Sequence, residues 1–132
     1  IQHFDQLGRV RLARSLEDPL TQDPYNETHG LKVETRYKTV SGYSYQLVSN
    51  PFRAAASSQA SNEPTMGWTL STAWSKGRRS EVETFSGAAL PAAFGGNNTN
   101  STGIVRTDVD ANRTLVTDQA GKRRISVSNA LG

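Results

Sequence analysis

The chain has 132 residues, enough for one domain with a core and too few for two comfortable ones. Only 35% are hydrophobic and 8% aromatic, against roughly 45–50% apolar in an average globular domain, which disfavours a thick helical core and suits a thin, two-sided sheet. The net charge of +3 is modest for a nucleic-acid binder, the lack of cysteine excludes disulfides and thiolate metal sites, and no run approaches ~18 apolar residues, so neither nucleic acid nor membrane insertion is expected.

The first residues, Ile1 to Asp5, lack the basic region and apolar run of a signal peptide, and a chain running from Ile1 to Gly132 is expected to be part of something longer. Apolar alternation with a period near two then predicts a series of strands. They cover Val10–Leu16, Leu31–Tyr37, Tyr43–Val48 and Trp68–Trp74. Four more follow at Glu81–Phe85, Ile104–Thr107, Thr114–Thr117 and Arg124–Val127. Most of these segments are rich in β-branched or aromatic residues, which pack well on a half-buried pleated surface. No stretch sustains helical spacing, and Arg53–Ala56 is expected to make one helical turn at most. Proline, glycine and small polar residues mark three long loops, at 18–30, 56–65 and 88–103. Strand-like segments of the same character flank all three, so no domain boundary is expected. The fold class is all-β: about eight short antiparallel strands and hairpins of repeat type in a single domain, 1–132. They form either a segment of a β-sheet shell or a small β-sandwich or barrel.

One pattern recurs. It has an aromatic or β-branched residue, a polar turn with Gly, a basic residue, and then a strand. The clearest copy is Phe4-Asp5-Gln6-Leu7-Gly8-Arg9-Val10, and a second is Thr117-Asp118-Gln119-Ala120-Gly121-Lys122-Arg123. A degenerate copy, Trp74-Ser75-Lys76-Gly77-Arg78-Arg79, lacks the acidic residue and is one residue short; a fourth is truncated as Ser128-Asn129-Ala130-Leu131-Gly132. These read as hairpin turns, in which Asp bonds its side chain to nearby backbone N–H groups and Gly supplies a left-handed conformation. Repetition at this scale suggests units that bury their faces only against neighbours.

The first copy resembles the Y-D-x-x-G-R-L/V signature of RHS repeats, also called YD repeats. Val116-Thr117-Asp118-Gln119-Ala120-Gly121-Lys122 is similar to the V-T-D-x-x-G half of that repeat, and Asn129-Ala130-Leu131-Gly132 to the opening of the next. The stretch from Tyr43 to Ala54 also resembles bacterial members. Such proteins build β-sheet shells that spiral around a cavity. In bacterial polymorphic toxins and insecticidal toxin complexes the shell encloses a C-terminal effector; in teneurins it is an extracellular scaffold. The resemblance implies a non-catalytic wall segment of a larger secreted or cell-surface protein. Its partners would be neighbouring repeats, a second copy joined through sheet edges, or an enclosed protein cargo. Asp5, Gly8, Arg9, Gly77, Asp118 and Gly121 would set the turns. The Pro- and Asp-bearing motif at which toxin-bearing members cut themselves does not occur in these residues, nor does an effector sequence.

Sites of chemistry are sparse. Gly8, Gly77, Gly121 and Gly132 belong to no phosphate-binding loop. His3 and His29 lie far apart in terminal or loop sequence and read as solvated surface residues rather than metal ligands. Glu81 and Glu83 share one strand face with Phe85, a spacing open to glycosidase chemistry but more simply explained by solvation, and the same holds for Asp108 and Asp110. No Gly-x-Ser-x-Gly elbow or supported Ser/His/Asp set appears. No catalytic, cofactor-binding or metal residue is therefore expected, and no enzyme. Asn26, Asn97, Asn100 and Asn112 stand in glycosylation sequons, which Asn- and Thr-rich loops produce by chance. The basic groups Arg9/Arg11/Arg14, Lys76/Arg78/Arg79 and Lys122/Arg123/Arg124 read mainly as protection of sheet edges. Trp68 and Trp74 have the same parity, so they would share a strand face, and they are favoured as core, with Tyr43 and Tyr45 as further possible ligand-binding aromatics. Exposed, they would make a stacking platform, and the alternative reading is an extracellular glycan- or protein-binding β-module.

Overall fold

The computed structural model describes residues 1–74, 76–110 and 112–127. The alternating segments form β1 (Gln2–Phe4), β2 (Val10–Ser15), β3 (Leu31–Val40), β4 (Tyr43–Ser49) and β5 (Gly67–Trp74). They continue as β6 (Arg79–Ser86), β7 (Ser101–Asp110), β8 (Arg113–Thr117) and β9 (Arg123–Val127). Every strand pairs antiparallel with the next, so the 9-stranded sheet keeps chain order from β1 to β9. It is one open sheet, not a sandwich or closed barrel; of the two architectures consistent with the sequence, the single sheet is the one formed.

Local differences have simple causes. Strand β1 is 3 residues long, too short for alternation to reveal it. The turn expected at Arg53–Ala56 is a bend, and a 3-10 helix follows at Ser57–Asn62, with a second at Ala92–Phe94. Strand β7 takes in Ser101–Gly103, read as loop, because Ser101 and Gly103 pair with Phe85 and Thr84 around an irregularity. The truncated repeat at Ser128–Gly132 lies outside the described residues.

The register gives the two faces of the sheet different characters. Across the strands, Tyr45, Leu47 and Ser49 align with Thr72, Leu70 and Trp68, and Leu70 and Trp68 align with Glu83 and Phe85. Over this face lie the β4–β5 connection (50–66) and the β6–β7 connection (87–100). Leu47, Phe52, Ala60, Met66, Trp68, Leu70 and Phe85 form the buried core, flanked by Leu90, Ala93 and Phe94. Burying each large side chain contributes about 1.5–3 kcal/mol. The Trp68 indole N–H donates to the Ala88 carbonyl at 3.1 Å, and the Gly87 amide donates to the Met66 carbonyl at 2.9 Å, so the covering loops are stitched to the sheet. The opposite face carries Ser44, Gln46, Ser71, Ala73, Ser80 and Val82, all exposed. That small, hydroxyl-rich surface explains how so few hydrophobic residues sustain nine strands.

The long β2–β3 loop (16–30) is anchored by two cations. Arg14, only 4% exposed, gives its guanidinium N–H groups to the carbonyls of Pro24 (2.5 Å), Asn26 (2.7 Å) and His29 (3.0 Å). Arg14 is thus internal, a correction to the expectation that its cluster shields a sheet edge. Lys32, 1% exposed, donates from Nζ to the carbonyls of Thr28 and Gly30 (2.7 Å each) and Arg53 (3.1 Å). Burial, with the nearby Arg14 charge, lowers the Lys32 pKa; three carbonyl acceptors offset that penalty. Replacing Lys32 with Met keeps the aliphatic stem but leaves three carbonyls without their donor. The expected outcome is a loss of about 1–3 kcal/mol in denaturant unfolding, with earlier proteolysis in residues 16–30. An unchanged midpoint would contradict the anchoring role.

Candidate functional site

The repeat turns have the geometry their residues dictate. At the β1–β2 hairpin, the Asp5 amide donates to the Arg9 carbonyl (2.8 Å) and the Gly8 amide to the Asp5 carbonyl (3.1 Å). Asp5 Oδ1 accepts the amides of Leu7 and Arg9, at 2.9 Å each. At the β8–β9 hairpin the same bonds recur: the Asp118 amide to the Lys122 carbonyl (2.8 Å) and the Gly121 amide to the Asp118 carbonyl (3.0 Å). There Asp118 Oδ1 accepts the amides of Ala120 and Lys122, again at 2.9 Å each. Gly8 and Gly121 both sit at φ 77°, the left-handed residue that closes a three-residue hairpin loop. Arg9 adds a side-chain bond from Nε to Asp5 Oδ2 (2.8 Å), and its guanidinium lies 4.3 Å from the centre of the Tyr37 ring. Backbone and side-chain bonds from Arg9, together with the Leu7 amide, hold the Asp5 carboxyl below its ordinary pKa. The third copy differs from its sequence reading. In the β5–β6 hairpin the Gly77 amide donates to the Trp74 carbonyl (2.8 Å), so Trp74 takes the place of the turn aspartate. Six residues then separate Ala73 from its partner Ser80, one more than separate Phe4 from Val10 or Thr117 from Arg123.

That hairpin borders a cleft at one end of the sheet. Its volume is about 560 Å³, and its walls include Tyr43, Trp74, Lys76, Arg78, Arg79 and Asp108. Tyr43 meets the Trp74 indole edge-on, with centroids 5.1 Å apart and planes at 75°, and stacks on Tyr45 at 6.3 Å. Arg79 lies 5.6 Å from the Trp74 ring centre and bonds Asp108 Oδ1 at 2.6 Å, which raises the guanidinium pKa. The four aromatics singled out in the sequence therefore part company. Trp74, Tyr43 and Tyr45 are half-buried and adjacent, whereas Trp68 is core, 1% exposed beneath residues 87–100 and closed to any ligand. Parity placed both indoles on one face, but only the covering loops decide which indole stays accessible. Asp108 and Asp110, read as solvated carboxylates, are walls of the cleft.

A second cleft, about 620 Å³, opens where β2 and β3 meet the covering loops. Its charges are matched internally: Arg11 to Glu27 at 2.6 Å, Arg36 to Glu34 at 3.5 Å, and the Ser57 hydroxyl to Glu34. The histidines are half-buried parts of the same scaffold, a correction to the solvated reading. His3 Nε2 accepts from Arg14 Nε (2.9 Å) and Nδ1 lies 3.2 Å from Glu27, while His29 Nδ1 accepts the Asp23 amide (2.9 Å). Glu81 and Glu83 do share the face of Phe85, but Arg106 and the Ser101 hydroxyl occupy them, at 2.6 and 2.7 Å. Among the described residues, no group of three His, Asp or Glu side chains is placed to hold a metal ion, and no helix is long and apolar enough to cross a membrane.

A Cβ added at Gly8 or Gly121 would meet nothing within 4 Å, so a substitution there acts through backbone strain alone. Gly8→Val and Gly121→Val should each lose about 1–2 kcal/mol of stability, since a β-branched residue resists positive φ. Thermal or denaturant unfolding measures this, and unchanged midpoints in both variants would refute the turn assignment.

No protein-family model, no curated protein and no solved structure matches this chain.

Proposed function

We propose that the chain is a section of β-sheet wall of the RHS/YD-repeat type, a non-catalytic scaffold that continues through its edges into neighbouring repeats. The observation that carries this reading is the recurrence of one Asp-x-x-Gly turn, bond for bond, at the first and the last hairpin of an open sheet. A closed domain has no reason to begin and end its sheet on the same motif; a repeating wall does.

The exposed margin supports the same reading. All of β9 is exposed, and Ile125 and Val127, each 66% exposed, continue the covered face past the reach of the connecting loops. A neighbouring repeat would bury them. Arg123 and Arg124 on β9 and Lys122 just before it fit edge protection, since like charges oppose pairing with a second copy. In its setting the segment would enclose a protein cargo or hold a partner within a larger secreted or cell-surface protein.

Size-exclusion chromatography with light scattering over a hundredfold concentration range tests this. The expected outcome is mass that grows with concentration, grows further at high salt as the arginines are screened, and keeps β-type circular dichroism. Ile125→Lys should suppress that growth. A monomer under every condition would overturn the open-edge reading.

A further inference from the structure

We propose that the cleft at the β5–β6 turn binds an acidic glycan, a sugar ring stacking on Trp74 and its carboxylate meeting Lys76 and Arg78. The cleft's volume, about 560 Å³, falls within the range of small-ligand sites and suits two or three sugar residues. Trp74 is a prepared platform. Tyr43 braces it edge-on at 5.1 Å, and Arg79, itself tied to Asp108 at 2.6 Å, lies 5.6 Å from the ring centre. A ring held this way loses little freedom on binding, which favours stacking of a sugar's C–H face.

The charges around the platform select the class of ligand. Arg79 is matched by Asp108, and Arg113 approaches Asp110 at 3.6 Å. Lys76 and Arg78 line the same cleft, are exposed, and form no ion pair among the described residues. A neutral sugar would leave these two cations unused. A nucleic acid would bring a phosphate at every residue past the Asp108 and Asp110 carboxylates, which repel it. A uronate-containing glycan fits both demands: sparse carboxylates for the two cations, and hydroxyls that donate to the aspartates. The ligand site and the wall can fail separately, because none of the residues lining the cleft lies on the edge strands β1 and β9.

Titration with a hyaluronan tetrasaccharide, whose carboxylates sit only on alternate sugars, followed by tryptophan emission, tests the inference. The protein has 2 tryptophans, and Trp68 is sealed in the core, so a change in emission reports Trp74. The expected result is a saturable change, weakened by salt and absent with maltotriose. Trp74→Phe should abolish the signal. The exposed double substitution Lys76→Gln/Arg78→Gln should weaken binding about tenfold with no shift in unfolding midpoint. The inference is overturned by silence on the hyaluronan tetrasaccharide, an equal response to maltotriose, unchanged affinity in the double variant, or tighter binding of a short oligodeoxynucleotide.

Discussion

Everything in this fold depends on the burial of one stretch of one sheet face. A single open sheet has two faces and no partner layer, so its own connections must supply the second wall of the core. Here residues 50–66 and 87–100 fold back over β3 to β6, and Trp68, Phe85, Leu47 and Leu70 pack beneath them. The bond from the Trp68 indole to the Ala88 carbonyl fixes the second of these loops over the first indole, while Trp74, farther along the same strand face, stays accessible. The core, the candidate cleft and the bare margin at β9 are three consequences of where those loops begin and end.

The strands were legible in the sequence because alternation with a half-buried surface leaves a period of two; Leu31–Tyr37 and Trp68–Trp74 lie within β3 and β5, although in β3 the buried residue is Lys32 rather than one of the apolar positions. The Asp5 and Asp118 turns were legible because side-chain chemistry and a left-handed glycine are local properties. What lies across the sheet was hidden. Arg14 reads as one of an edge-protecting group and nothing singles out Lys32, yet Arg14 shares the parity of Leu12, and that apolar-face position was a usable signal of burial. No local pattern marks the carbonyls that cap these cations, because they belong to the irregular backbone of the 16–30 loop and, for Arg53, of the β4–β5 connection.

The candidate site shows the same division. The aromatic and basic residues of the cleft were visible in the sequence, but their grouping was not. Tyr43, Trp74 and Asp108 meet only because three hairpins align in register across β3 to β8. Separating Trp68 from Trp74 required the loop that buries one of them. The proposed wall and the proposed ligand site use different parts of the molecule: the edges and repeat turns for the former, the end of the sheet near β5–β6 for the latter. A scaffold that presents a glycan cleft at one end while its edges carry continuity is consistent with both.

Residue-resolved amide hydrogen exchange on the dilute chain tests the central claim most directly. If one open sheet is held by a core under two loops, the slowest amides belong to β4, β5 and β6, with protection falling outward until β1 and β9 exchange fastest. Protection of β1 and β9 equal to that of β5 would mean that the edges meet each other, and a closed barrel would replace the open wall.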